Sequence, residues 1–122
     1  MNPSHTYSDK SLTVEQFDPP EELRLVFKGR SNERDPSKFL TPLFNTSLLQ
    51  VGGPRALVLD FRNIEFMNSS TFTPLVRLLE EVRKGTTSVR LVYAAQVKWQ
   101  TLSFSALKVF ESGDGRVEIM GE

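Results

Sequence analysis

The stretch FMNSSTFTP, residues 66–74, gathers four hydroxyl side chains, Ser69, Ser70, Thr71 and Thr73, behind Asn68 and ahead of Pro74. Hydroxyls at a strand end that leads into a helix face free backbone N–H groups and the positive end of the helix dipole. That setting suits both a nucleophile offered to a kinase and the phosphate that results. A phosphoserine would place about −1.5 to −2 charges where a neutral hydroxyl stood, enough to switch binding without refolding. The same residue types are also the preferred helix caps, contributing on the order of 1 kcal/mol each. By residue type alone the segment is either a switch or a cap, with Thr71 and Thr73 leaning towards caps. Of the flanking Phe66 and Met67, at least one is expected in the core, the other being an exposed contact beside the switch.

Other chemistry finds little support. VGGP and GDG are too short for a phosphate-cradling loop and read as turns. Glu80 and Glu81 are adjacent on a helix, pointing about 100° apart, and cannot form a glycosidase pair. Asp60 lies within an apolar run as a candidate buried hydrogen-bonding residue. The chain has no cysteine and one histidine, His5, so no triad or metal site forms around it. Trp99 is read as a packing residue rather than a partner contact. No catalytic, cofactor or metal residues are assigned, and the protein is expected not to be an enzyme.

The whole chain, 122 residues with 39% hydrophobic and 25% charged side chains, suits one domain with a modest core. Fifteen basic residues balance fifteen acidic ones, and the basic residues form no stripe joined to aromatics. Neither nucleic acid nor an anionic membrane is an expected partner; another protein is. No apolar run approaches the roughly 18 residues of a membrane span, and the start MNPSHTYSDK lacks an apolar signal segment. The expected location is cytoplasmic.

The elements that must position the hydroxyls follow from periodicity. Residues 1–10 show no apolar pattern and are expected to be a flexible tail, with 11–122 as the single domain. SLTVEQF and LRLVFKG form a hairpin, Leu23, Leu25 and Phe27 pointing one way and Phe17 falling out of step in the first strand. Asp35 before Pro36 signals a helix start; Phe39, Leu40, Leu43, Phe44 and Leu48 recur at helical spacing, with Pro42 a kink. RALVLDF reads as a central strand covered on both faces. TPLVRLLEEVRKG carries Leu75, Val76, Leu78, Leu79 and Val82 on one stripe and charges on the other, with Gly85 ending the helix. Because Pro74 cannot donate to a helix ladder, this helix is expected to begin near Thr71 or to have a distorted first turn. SVRLVYAA is a strand, VKWQTLSFSALKVF a helix with Leu102, Ala106, Leu107 and Phe110 inward, and GDGRVEIM a turn into a last strand. The order β-β-α-β-α-β-α-β predicts an α/β sandwich: a mixed, mostly parallel sheet of about five strands with three main helices packed on it.

The block LVLDFRNIEFMNSSTFTPLVRLLEEV resembles the centre of the STAS domain, the family that includes anti-sigma factor antagonists, where a core strand runs through FMDSSG into a helix. LRLVFKGR, VRLVYA and WQTLSFSALKVF resemble further elements of that family, so that about residues 12–120 are covered. FDPPEELRLVFKGRSNERDPSKFLTPLF together with FMNSS is similar, more narrowly, to SiaC-type regulatory phosphoproteins, which have asparagine where the antagonists have the aspartate of DSS. Here that position is Asn68.

The resemblance implies a bacterial signalling regulator working by partner switching. Its acceptor hydroxyl would be Ser69, with Ser70 as second choice. The implied partners are a GHKL-type switch kinase or anti-sigma factor that holds the ATP, a PP2C-type phosphatase, and a downstream effector such as a diguanylate cyclase. The expected contact face comprises Arg30 and Arg34 from GRSNERDP with Phe66, Met67, Asn68, Ser69, Ser70, Thr71 and Phe72. The competing expectation is an unphosphorylated STAS module that binds a small ligand or serves as a scaffold.

Overall fold

The computed structural model describes residues 2–122. Among these residues a mixed sheet of seven strands carries three helices, more strands than the five expected. In chain order these are β1 (His5–Asp9), β2 (Leu12–Phe17), β3 (Glu22–Ser31), α1 (Ser37–Val51), β4 (Ala56–Asp60), β5 (Ile64–Met67), α2 (Ser69–Lys84), β6 (Ser88–Tyr93), α3 (Lys98–Ser105) and β7 (Val117–Gly121), with a 3₁₀ segment at Ala106–Phe110 after α3. The spatial order is β1-β2-β3-β4-β6-β7; β1, β2 and β3 run antiparallel in turn, and the other pairings are parallel.

Two strands lie where none was expected. Residues 5–9 sit in the stretch read as a flexible tail, yet they pair with β2 from His5↔Gln16 to Asp9↔Leu12. Their side chains are mostly polar because β1 is an edge strand held by its backbone. It also answers a need of β2, whose alternation is strict: Leu12, Val14 and Gln16 point inward, so Gln16, not Phe17, ends the buried face. The buried Gln16 amide donates to Ser4 Oγ. The second strand, β5, continues β4 after a jog at residues 61–63, and both lie end to end along the long β3: Val26 is level with Asp60 and Ser31 with Met67.

All three crossovers step the same way across the sheet, from β3 to β4, then to β6, then to β7. With right-handed connections this places every helix on one face. The burial pattern agrees. Leu23, Leu25, Phe27, Leu57, Leu59, Val89, Leu91, Val117 and Ile119 join one core with the inward residues of the helices. Their alternates Arg24, Val26, Val58, Asp60, Arg90, Val92 and Glu118 face away from it. β4 is therefore central, as expected, but helices cover only one of its faces. Val58 is nonetheless 0% exposed, flanked on the neighbouring strands by the long side chains of Arg24 and Arg90.

The third helix differs most from expectation. Leu102 is 68% exposed and Ala106 is also exposed, while Phe104 is 0% exposed. Phe104 is the hub of an aromatic cluster, with ring centroids 5.1 Å from Phe61, 5.6 Å from Phe72, 5.8 Å from Tyr93 and 6.3 Å from Trp99. Trp99 thus packs against the core. The helix turns into a 3₁₀ segment at Ala106, which shifts the face read from a single 3.6-residue period.

Candidate functional site

The site is built where β3 and β5 end together. Gly29 takes φ +87° and a β-bulge interrupts the register between Gly29 and Arg30. A side chain at Gly29 would collide with the Ser11 carbonyl, which instead accepts the Arg30 N–H at 3.0 Å. Arg30 points outward and Ser31 inward, continuing the alternation of Leu23, Leu25 and Phe27. The Arg30 guanidinium lies 4.9 Å from the centre of the Phe66 ring, a cation–π contact between two exposed side chains.

Beyond β5 the backbone of Asn68 stays extended and donates to the Ser31 carbonyl at 3.0 Å. Asn68 is the N-cap of α2, which starts at Ser69, two residues earlier than the proline suggested. Pro74 falls in the second turn, and the helix continues through it; what the missing N–H leaves free is the Ser70 carbonyl. Pro42 is likewise accommodated inside α1. The expected cap of α1 does not form: Asp35 is exposed, and Pro36 holds the cap position with no side-chain hydrogen bond.

The four hydroxyls separate into one that is buried, Thr71, and three that are exposed, Ser69, Ser70 and Thr73. Thr71 is 3% exposed, as is Ser31, and their oxygens are 2.7 Å apart. Thr71 Oγ1 also lies 2.7 Å from Asn68 Oδ1, which accepts the Thr71 backbone N–H at 3.0 Å. Since Oδ1 can only accept, Thr71 donates to Asn68, and Ser31 must then donate to Thr71. Asn68 Nδ2 completes the chain by donating to the Glu33 carbonyl at 2.8 Å. Ser31 → Thr71 → Asn68 → Glu33 is thus a directed, satisfied network at the root of the helix. Thr71 is neither a cap nor a free nucleophile. Ser69 and Ser70 are exposed at the first two helical positions, and their own N–H groups have no partner among the described residues.

Of the expected contact residues, Arg30, Arg34, Phe66, Ser69 and Ser70 are exposed. Asn68 and Phe72 are half-buried, Phe72 against Phe104. Met67 and Thr71 are turned into the core and are unavailable to a partner, because the register shift leaves Glu65 as an extra residue in β5, so that Ile64 and Met67 face inward and Phe66 outward, and Thr71 sits on the inner face of α2. The contribution of Ser31 was not anticipated. Its signal in the sequence is the period-2 alternation of β3, which puts Ser31 on the same face as Leu23, Leu25 and Phe27.

A second polar cluster lies on the open face of the sheet. Asp60 is 2% exposed and accepts from Arg24 Nη1 at 2.8 Å, from the Arg62 backbone at 3.1 Å, and from Arg62 Nε and Nη2 at 3.0 and 2.8 Å. Burial pushes this carboxyl up, but the Arg62 hydrogen bonds and the charges of Arg62 and Arg24 outweigh it and hold the group below its ordinary value. Beside it lies an open pocket of about 480 Å³ lined by Phe17, Val26, Arg24, Lys28, Asp60 and Arg62, among others. Among the described residues no group of histidine, cysteine or carboxylate side chains is arranged to hold a metal ion. No helix there is long and apolar enough to cross a membrane.

No protein-family model matches the sequence, and no curated protein matches it. Among solved structures the chain is similar to an uncharacterised protein of the DUF3478 family, with a SpoIIAA-like fold, from Shewanella loihica PV-4. The superposition gives a TM-score of 0.52 at 14% identity and covers 100% of this chain and 92% of that one. The protein therefore has a SpoIIAA-like, that is STAS-like, α/β fold, as the sequence block from residue 57 to 82 led one to expect.

Proposed function

We propose that this protein is a bacterial signalling regulator that binds partner proteins and is switched by phosphorylation of Ser69. The observation that supports this reading is the sorting of the hydroxyls. Thr71 is buried and spent on the cap network, whereas Ser69 is exposed beside two free helix N–H groups. In this reading the protein is a substrate and a binder, not a catalyst. A GHKL-type switch kinase phosphorylates it with its own ATP, a PP2C-type phosphatase resets it, and an effector such as a diguanylate cyclase receives the signal, all in the cytoplasm. The docking face is Arg30, Arg34 and Phe66 together with the exposed first turn of α2.

Phosphate mapping of the protein taken from its native cells tests the assignment. Phosphate is expected on Ser69, lost in Ser69→Ala and kept in Ser70→Ala; equal labelling of both variants counts against it. Ser69→Asp is a partial mimic, because a carboxylate brings one charge that a close-docking partner must desolvate. Kinase affinity should fall about five- to 150-fold, within the usual span of coupling energies, with helix stability unchanged or slightly raised by the dipole.

A second reading, an unphosphorylated ligand-binding or scaffold module, draws on the open pocket beside Asp60. In that case the native protein carries no phosphate around residue 69 and Ser69→Ala is silent.

A further inference from the structure

We infer that Asn68 couples the two halves of the docking face, its side-chain amide latching the loop of residues 32–35 to the first turn of α2. What the coupling does for partner binding rests on the phosphoswitch reading; the latch itself does not.

The two ends of the Asn68 amide perform different tasks. Oδ1 caps the helix, accepting the backbone N–H of Thr71 at 3.0 Å and its hydroxyl at 2.7 Å. Nδ2 reaches 35 residues back along the chain to the Glu33 carbonyl at 2.8 Å. Capping alone does not require asparagine, since serine, threonine and aspartate cap as well. The contact to Glu33 does require it. An aspartate would set a second acceptor against the carbonyl oxygen, and a serine is too short to cap the helix and reach Glu33 at once.

Little else ties the loop down. Among the described residues the backbone N–H groups of Asn32, Glu33, Arg34 and Asp35 donate to no backbone or side-chain acceptor. The Glu33 side chain meets Lys10 at 3.2 Å, but the lysine side chain is 70% exposed, so the pair is worth little. At its far end Asp35 accepts the Lys38 N–H at 3.3 Å. The direction in which Arg34 leaves the loop is therefore set by the neighbouring Glu33 carbonyl, and that carbonyl by Asn68. One amide fixes the cation-bearing loop relative to the serine-bearing turn.

Backbone ¹⁵N relaxation on the full chain tests the latch with two variants that keep a cap, Asn68→Ser and Asn68→Asp. Both are expected to melt within a few degrees of the wild type and to keep ordered amides at 69–73. The order parameters of residues 32–35 should fall from about 0.85 to below about 0.6, the range of flexible backbone. Lys10→Ala should leave those values in place. A residue that serves only as a cap predicts no change in the loop. The inference is overturned if the loop stays ordered in both cap-keeping variants, or if it loosens only together with the first turn of α2. It is equally overturned if Lys10→Ala loosens the loop as much as they do. Absence of phosphate on Ser69 in the native cells would remove the phosphoswitch and leave these outcomes unaffected.

Discussion

Replacing Thr71 by valine keeps the shape of a 3% exposed side chain and removes only its hydroxyl. Two bonds go with it, the donation to Asn68 Oδ1 and the acceptance from Ser31 Oγ, both 2.7 Å long. Asn68 retains the backbone N–H of residue 71, so it stays satisfied. Ser31 does not: its buried hydroxyl is left without an acceptor. One lost bond at about 1 kcal/mol plus a stranded hydroxyl at about 1–2 kcal/mol gives a cost of about 2–3 kcal/mol. With an unfolding entropy of about 2.1 cal/mol/K per residue, a chain of 122 residues loses about 8–12 °C in melting temperature. Ser31→Ala alone should cost about 1 kcal/mol, because Thr71 keeps its bond to Asn68. In the double variant nothing polar is stranded, and the cost should be about 1.5–2 kcal/mol instead of the sum of about 3–4. Urea unfolding of the four proteins measures the cycle, with unchanged slopes showing that the comparison is sound. Additive costs, or a valine variant within about 0.5 kcal/mol of the wild type, would refute the directed network.

Asp60→Asn should destabilise by about 2 kcal/mol at pH 7, since it weakens several charge-assisted hydrogen bonds. The folded pKa of Asp60 lies below its ordinary value, so its stabilisation is present above about pH 4 and is lost as pH falls through the folded value. The gap between wild type and variant should therefore narrow in acid; urea midpoints showing a constant gap from pH 7 to pH 2.5 would contradict this. Gly29→Ala forces a side chain into the Ser11 carbonyl at φ +87°, and a loss of at least about 3 kcal/mol is expected by thermal unfolding. Phe104→Ala should cost about 3–5 kcal/mol whereas Leu102→Gln should stay within about 0.5 kcal/mol; the reverse ranking in calorimetry would return Leu102 to the core.

Local patterns carried much of this protein into view. The β2–β3 hairpin follows from two short alternating runs, and α2 from a one-sided apolar stripe closed by Gly85, because each pattern is complete within one element. The cluster of hydroxyls beside a helix start was equally plain, since cap chemistry lies within four residues. What residue types could not decide was which hydroxyl is spent and which is free. Ser31 and Thr71 are 40 positions apart and meet only because β5 runs alongside the end of β3 and leads into α2 beside the inward face that Ser31 shares with Phe27. The same holds for β1, whose polar residues advertise nothing because an edge strand is held by backbone bonds to a partner. It holds again for Asp60, buried by two arginines from elsewhere in the sheet plane and its following turn. The bare sheet face is the clearest case: apolar content in β4 signalled burial, but which face the helices cover depends on the direction in which three successive crossovers step. Periodicity reports the environment a side chain needs; only the tertiary arrangement decides which distant group supplies it.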